Sequence, residues 1–152
     1  QFYIGHQGRP GVNSYYMVMH VRQLFWTPDG WPLVSCQRYA TEEETAVEES
    51  ELAGDWELII YTYQVVPGYA DEQVNPGFSD AQVITLEAGG TLSGNLSGSW
   101  SYTAPWLTMN YDGHTAQLRV ERGRDWEKEV ESTVLLTGLN EQHVTLWAKK
   151  LE

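Results

Sequence analysis

Residues 98–121 read GSWSYTAPWLTMNYDGHTAQLRVE, and this stretch decides the fold class. Apolar and polar residues alternate in it with a period of two, which is the pattern of a β-strand with one buried face. Asp112-Gly113 interrupts the alternation, and such a pair between two strand-like runs is typical of a tight turn. The stretch therefore predicts short, consecutive, antiparallel strands.

The same rhythm continues on both sides of this stretch, so that about eight strand-like runs fill residues 54–150. They are 55–65, 81–87, 91–96, 98–103, 106–111, 114–121, 129–137 and 143–149. The fold class is therefore all-β. A barrel is favoured over a sandwich because a closed barrel leaves no unpaired edge strand. An antiparallel barrel of about eight strands has an interior that side chains just fill, or that holds one small ligand.

Residues 1–40 carry a different pattern and predict strands that belong to another sheet. Residues 14–26 (SYYMVMHVRQLFW) read as a long strand with Val18, His20 and Arg22 on one face and Met17, Met19 and Val21 on the other. Residues 28–30 are Pro-Asp-Gly, a turn sequence, and an extended run follows at 31–34. Two or three strands are marginally stable alone, so this region needs a sheet supplied by something else.

Charge narrows the possible partners. The formal net charge is −12, which opposes binding to phosphate backbones, so no nucleic-acid partner is expected. Much of the acidity lies within residues 41–53, which we interpret as a solvated linker or helix face. A calcium-binding loop is the alternative, although the EF-hand spacing is absent. No apolar run approaches the roughly 18 residues of a membrane helix, so no membrane partner is expected.

Several ordered motifs near the N-terminus carry a resemblance to a known family. They are Ile4-Gly5-His6-Gln7-Gly8-Arg9-Pro10, Met17 to Leu24 (MVMHVRQL), Trp26, Asp29 to Ser35 (DGWPLVS) and Arg38-Tyr39-Ala40. This segment resembles the end of the catalytic five-bladed β-propeller of glycoside hydrolase family 43 arabinanases, which cut α-1,5-linked arabinan. It departs from the family at Ser35-Cys36, where Ser-Pro is usual, and this change loosens one turn without touching the chemistry.

The remainder of the chain resembles the C-terminal domain of the longer members of that family, a lipocalin-like β-barrel. Residues 52–58 (LAGDWEL) are similar to the Gly-x-Trp opening of such barrels, and residues 137–140 with 144–150 are similar to their closing strand. The resemblance implies three parts: residues 1–40 as the partial end of a propeller, 41–53 as an acidic linker, and 54–150 as the barrel domain.

The resemblance also implies a function, a partner and a location. The chain is expected to be the C-terminal fragment of an arabinan-degrading glycoside hydrolase, with the barrel supporting the propeller. Its expected partners are the remaining N-terminal propeller of the parent enzyme and arabinan or another plant polysaccharide. The expected location is secreted, cell-surface or periplasmic, as for a bacterial extracellular enzyme.

The chain is expected to be inactive alone, with no catalytic residue of its own. An inverting glycosidase needs an acid and a base on opposite faces of the sugar, and in this family those carboxylates come from earlier blades. Asp29 lies in a Pro-Asp-Gly turn where its side chain favours the backbone. The glutamates between 42 and 51 are too clustered and hydrophilic to form a positioned pair. Substrate-binding residues stay unknown.

The resemblance implies one metal ligand, His6. In similar arabinanases a histidine of this motif points into the central channel and helps to hold a metal ion, usually calcium. Calcium prefers oxygen ligands, so the other ligands would be mostly water, and the site needs the other blades. The alternative is a histidine that is hydrogen-bonded at the end of a blade. Gln7 and Arg9 are candidates to line the same cleft.

Other notable side chains are expected to be structural. His20 and Arg22 favour a buried ion pair or packing, His114 and His143 lack metal-ligand spacing, and Cys36 is expected to be a small buried residue. Trp26 and Trp31 are expected to seal the propeller segment against the barrel. The barrel tryptophans, Trp100, Trp106, Trp126 and Trp147, are expected in its core or rim, with a sugar-binding platform as the alternative.

Two other functions remain open at this point. One is a carbohydrate-binding module, in which exposed Trp and Tyr side chains or the mouth of the barrel hold a polysaccharide. The other is a lipocalin-like carrier of a small apolar ligand, which requires a roomy, dry cavity of roughly 300 Å³ or more. A barrel filled by its own side chains would contradict the carrier.

Overall fold

The computed structural model describes residues 1–8, 17–41, 45–61 and 80–151, and for residues 6–8 the backbone alone. Eleven strands lie in these ranges, together with a single 3₁₀ turn at Glu49–Glu51. The strands are β1 Phe2–Gly8, β2 Met17–Trp26, β3 Pro32–Val34, β4 Gly54–Ile60, β5 Gln82–Leu86, β6 Thr91–Gly94, β7 Gly98–Thr103, β8 Trp106–Tyr111, β9 His114–Asp125, β10 Val130–Asn140 and β11 Thr145–Lys150.

Strands β4–β11 form a closed barrel in the order β10-β11-β4-β5-β6-β7-β8-β9. All neighbouring pairs in it are antiparallel, so the predicted eight-stranded antiparallel barrel is confirmed. The bounds of β7 and β8 agree with the sequence pattern, whereas β9 and β10 run several residues further than the alternation suggested. The last four positions of the first predicted run, 62–65, lie outside the described residues.

The barrel interior is filled by its own side chains over the described residues. Alternate residues of each strand point inward, as the pleat requires, and Trp56 is fully buried among them. The core cluster contains Val47, Leu52, Trp56, Leu58, Ile84, Leu86, Leu92, Leu96, Trp100, Leu107, Met109, Tyr111, Ala116, Leu118, Val120, Val134, Leu136, Leu146 and Ala148. This packing gives the small-ligand carrier no support.

The segment before β4 closes one end of the barrel. Val47 and Leu52 belong to the barrel core, and the indole Nε1 of Trp56 donates to the carbonyl of Leu52 at 3.0 Å. Arg122 donates to both carboxylate oxygens of Glu51, at 2.7 and 2.9 Å, and this hydrogen bond is the main reason that the pKa of Glu51 is lowered. Part of the predicted solvated linker is thus packed structure, while Glu42 to Glu44 lie outside the described residues.

Strands β1, β2 and β3 form a separate antiparallel sheet in that order. The β2–β3 hairpin, with Leu24 paired to Val34, confirms the turn predicted around residues 27–30. In the part of the chain that the structure describes, no helix has the length and apolar character needed to cross a membrane. The predicted part boundaries at 40/41 and 53/54 stay predictions.

Candidate functional site

The three-stranded sheet is docked on the outer face of strands β9–β11, and this interface is the first part of the candidate site. Leu33 and Cys36 are buried at it, and the backbone N–H of Cys36 donates to Oγ1 of Thr137 at 3.0 Å. The Arg22 guanidinium donates to the Ser35 carbonyl at 2.9 Å. The same guanidinium lies 5.3 Å from the ring centroid of Trp147, so one side chain fixes both the hairpin and its position on β11.

A partly buried ionic network sits at the same interface, and the Glu127 side chain in it is exposed. Asp125 is only 2% exposed, and Lys149 Nζ lies 3.0 Å from its Oδ1 and 2.8 Å from Oε2 of Glu127. Gln37 joins the network by donating from Nε2 to Glu127 at 2.9 Å. Because Gln37 precedes the barrel while Asp125 and Lys149 belong to it, the network ties the sheet to the barrel wall.

Hydrogen bonds together outweigh the effect of burial on the pKa values of Asp125 and Lys149. Burial alone would raise the pKa of Asp125, but hydrogen bonds from Lys149 and from the backbone at Glu127 and Lys128 outweigh it and hold that pKa below its ordinary value. Burial would likewise lower the pKa of Lys149, yet its bonds to Glu127 and Asp125 raise it. Both groups therefore stay charged at neutral pH.

Aromatic rings complete the interface around its edges. The Arg38 guanidinium lies 4.7 Å from the Trp126 ring, and the Trp126 indole donates back to the Arg38 carbonyl at 3.1 Å. Trp31 contacts the barrel, with its ring centroid 4.9 Å from that of His143 in the β10–β11 turn, but it is 50% exposed and covers the junction only in part. Trp26 is 52% exposed, and its indole donates to Gln1 Oε1 rather than to a barrel residue, so the predicted sealing role does not describe it.

The second part of the candidate site is an exposed apolar surface on the β1–β2 hairpin, which we call the hairpin surface. The pairing of Ile4 with Val21 and of Tyr3 with Arg22 places neighbouring residues on opposite faces. Exposed apolar side chains stand on both faces: Phe2, Ile4, Met17 and Met19 on one, and Tyr3 and Val18 on the other. Clustered exposed apolar side chains of this kind are typical of an interaction site, and they occur here on both faces of the hairpin.

The structure describes only part of the predicted site. His6 pairs with Met19 and Gln7 with Val18 across the β1–β2 hairpin, whereas both side chains and the whole of Arg9 lie outside what is described. Asp29 is exposed in the turn between β2 and β3. Within the described ranges no three His, Cys, Asp or Glu side chains are grouped in a way that could hold a metal ion.

One polar pair escaped the sequence analysis. Glu141 lies in the β10–β11 turn, 2.6 Å from Nδ1 of His114 at the start of β9. Its second oxygen accepts from the backbone N–H of Thr115 at 2.8 Å. The hydrogen bond with His114, followed by that from Thr115, lowers the pKa of Glu141 to about 2. No short-range spacing signals such a pair, because 27 residues separate its members.

Comparison with known proteins fits this architecture. Residues 36–148 match GH43_C, described as a C-terminal lipocalin-like domain. The chain belongs to the GH43_C family. The matched residues include the barrel up to its last two positions, 149 and 150, together with the segment that closes it, and the resemblance of the barrel to the C-terminal domain of family 43 is confirmed.

Curated relatives of this GH43_C chain are much longer than it is. It is 26% identical over 153 residues to extracellular endo-α-(1→5)-L-arabinanase 2 of Bacillus subtilis strain 168, covering 98% of this chain and 30% of the relative. It is 22% identical over 156 residues to extracellular endo-α-(1→5)-L-arabinanase of Thermotoga petrophila, covering 99% of this chain and 31% of the relative. The chain therefore spans about a third of each relative's length.

Solved structures share its fold. The family 43 glycoside hydrolase YxiA protein of Bacillus licheniformis superposes with a TM-score of 0.84 at 24% identity, over 99% of this chain and 32% of that protein. The endo-1,5-α-L-arabinanase of Thermotoga petrophila gives 0.84 at 20% identity, over the same shares of 99% and 32%. The superposition includes the three-stranded sheet as well as the barrel.

Proposed function

We propose that this chain is the C-terminal part of an arabinan-degrading glycoside hydrolase, in which the barrel holds the last strands of a β-propeller. The hairpin surface carries this proposal. A hairpin with apolar side chains on both faces is unstable in water alone, yet here it is held against a fully packed barrel through Arg22, Cys36 and Gln37. Such an arrangement suits a blade that neighbouring blades cover on each face.

The chemistry of the whole enzyme assigns the catalytic groups elsewhere. Inverting cleavage of a glycosidic bond needs two opposed carboxyl groups about 6.5–9.5 Å apart, with room for a water molecule between them and the sugar. Four of the described carboxylates are already bound to side chains of this chain: Asp125 and Glu127 bind Lys149, Glu51 binds Arg122, and Glu141 binds His114. The chain alone is therefore expected to leave arabinan intact, and the acid and base come from the N-terminal partner.

His6 is proposed as a calcium-associated residue of the assembled propeller only. One imidazole does not make a calcium site, since calcium takes six to eight oxygen ligands. The metal would bind once the other blades supply oxygen ligands and water. The names of the relatives also support an extracellular setting for the parent enzyme.

Co-expression tests the support role. The chain would be produced with the N-terminal remainder of the Bacillus subtilis relative, and capture and hydrolysis of linear arabinan would be measured. We expect capture, together with greater activity or thermal stability than the remainder has alone. Met19→Lys should weaken capture because it places a charge on the hairpin surface, whereas Val83→Lys, at an exposed position of β5, should not. If the two parts are not captured together and neither activity nor stability changes, the proposal is wrong.

A further inference from the structure

A cleft on the side of the barrel lies outside both the core and the hairpin surface. It has a volume of about 690 Å³ and is formed between the β2–β3 turn, which carries Asp29 and Trp31, and the barrel, which contributes Gln117, Glu141 and His143. This volume lies in the usual range of about 300–1,000 Å³ for small-molecule sites.

One wall of the cleft is an aromatic platform. Trp31 is 50% exposed, although an indole usually finds cover in a folded protein. The turn fixes the backbone of Trp31. Its backbone N–H donates to Oγ1 of Thr27, and its backbone carbonyl accepts from the backbone N–H of Thr27, both at 2.8 Å. The imidazole of His143 supports one side of the ring. The backbone of Trp31 is thus fixed, and its ring lies beside a cavity with one contact to His143 and half of its surface open.

The barrel side of the cleft supplies hydrogen-bonding groups. The Glu141 carboxylate is held by His114 and by the N–H of Thr115, and the exposed Gln117 amide adds both donors and an acceptor. Asp29 lies on the turn side of the cleft. Carboxylates and a primary amide are suited to neighbouring hydroxyl groups, because they accept or exchange two hydrogen bonds at once.

The charge of the lining selects against acidic ligands. The described residues around the cleft include two carboxylates, Asp29 and Glu141, and no lysine or arginine. Because the pKa of Glu141 is about 2, its charge persists at neutral pH. Phosphate, sulfate and uronate groups would be repelled. An uncharged ligand that is rich in hydroxyl groups and has one apolar face fits the aromatic ring, the hydrogen-bonding groups and the negative charge of the cleft.

We propose that this cleft binds a short segment of a neutral polysaccharide, with a sugar ring stacked on Trp31 and its hydroxyl groups bonded to Glu141 and Gln117. The cleft would hold polymer next to the enzyme without cleaving it. This assignment uses the geometry of the cleft and not the proposed catalytic role, so either can fail without the other.

Affinity electrophoresis of the full chain tests the assignment. Gels would contain linear arabinan, arabinoxylan or galactan as neutral polymers, with polygalacturonate as the acidic comparison. We expect retardation by at least one neutral polymer and none by polygalacturonate. Trp31→Ala should weaken binding by about two- to tenfold, the loss expected for a stacked aromatic contact. Trp26→Ala is the matched control, because Trp26 is equally exposed outside the cleft, and it should bind as the parent chain does.

Two further variants keep the test decisive if Trp31→Ala fails to fold. Trp31→Tyr retains an aromatic platform and should keep most of the affinity, whereas Gln117→Ala, at an exposed barrel position, should lower it with no change in melting temperature. Absence of retardation by all three neutral polymers would overturn the proposal. The proposal would also be wrong if Trp26→Ala lowered the affinity as much as Trp31→Ala. It would be wrong if both Trp31→Tyr and Gln117→Ala left binding unchanged, or if the chain preferred polygalacturonate.

Discussion

At the scale of single residues, the pair of Asp125 and Lys149 is an ion pair within the barrel wall, next to the segment that follows the docked sheet. Asp125 is almost completely buried, and it accepts from Lys149 Nζ and from two backbone N–H groups. A buried carboxylate that loses its cation keeps the cost of desolvation without the compensating attraction. We therefore expect Lys149→Met to lower the free energy of unfolding by about 3 kcal/mol.

Chemical denaturation would measure this loss, and a second ion pair supplies the control. Lys128 and Glu57 are 2.8 Å apart but largely solvated, so Lys128→Met should cost less than about 1 kcal/mol. Equal losses in the two variants would contradict the argument.

The pH dependence of the free energy of unfolding has a definite sign. The lowered pKa of Asp125 means that its contribution is present above the ordinary carboxyl range and disappears as pH falls through the lowered value.

Glu141 allows a second, site-specific test of electrostatics. Its pKa of about 2 arises first from the hydrogen bond with His114. We expect His114→Phe to raise the pKa of Glu141 toward the ordinary range, because the largest lowering contribution is removed while the Thr115 N–H remains. A carbon-detected NMR titration of the carboxyl groups would follow this shift. A titration midpoint of Glu141 that is the same in both proteins would contradict the pairing.

The roles of some of these residues could be predicted from the sequence, and the roles of others could not. The burial of Cys36 and the structural role of Arg22 follow from composition and strand parity. Glu141 with His114, and Asp125 with Lys149, come together only through barrel closure, across 27 and 24 positions respectively. Pairing over such distances leaves no local periodicity, and this is why these groups were not predicted.

At the scale of elements, close backbone approach in the barrel depends on particular glycines. Gly138 lies on β10 opposite Leu118 of β9, and a Cβ placed on it would sit 2.7 Å from the Cα of Leu118 and would clash with the Gln117 carbonyl. Backbone atoms have little room to yield. We expect Gly138→Ala to destabilise the barrel by about 2–3 kcal/mol.

A glycine in open space separates this steric effect from ordinary backbone preference. Gly89 has a φ of +102°, and no atom lies within 4 Å of the position that a Cβ would take there. Its change to alanine should therefore cost only the conformational penalty of about 1 kcal/mol. Thermal unfolding followed by circular dichroism would compare the two variants. A smaller loss for Gly138→Ala than for Gly89→Ala would refute the packing argument.

The strand pattern predicted elements more accurately where the turns were short. Strands β7 and β8 were predicted with the right bounds, because their alternation and the Asp112-Gly113 turn agree. Strands β9 and β10 continue beyond the alternating runs, where Glu121 and Asp125 are buried beneath the docked sheet. Alternation records burial on one face only, and it fades where a second layer covers the other face.

At the scale of the whole molecule, two surfaces with different requirements share one barrel. The core and the closing segment make the barrel a complete hydrophobic unit, whereas the attached sheet leaves apolar residues in water. The sequence predicted that the strands of residues 1–40 belong to another sheet, because two or three strands are only marginally stable alone. It did not predict the cleft beside Trp31, because its walls come from segments more than 80 residues apart that only the docking of the sheet brings together.

The exposed hairpin surface leads to a prediction about the isolated chain in solution. Apolar strands with unpaired edges associate, while a net charge of −12 keeps copies apart. We expect concentration-dependent association that strengthens with salt, because salt screens the repulsion but not the apolar contact. Sedimentation velocity would show it as a rising mean sedimentation coefficient. Met19→Lys, at a side chain that is 75% exposed, should suppress it, whereas Val83→Lys, at one 45% exposed on the barrel, should not. Equal suppression by both variants would place the contact elsewhere than on the hairpin, and association that weakens with salt would make it electrostatic rather than apolar.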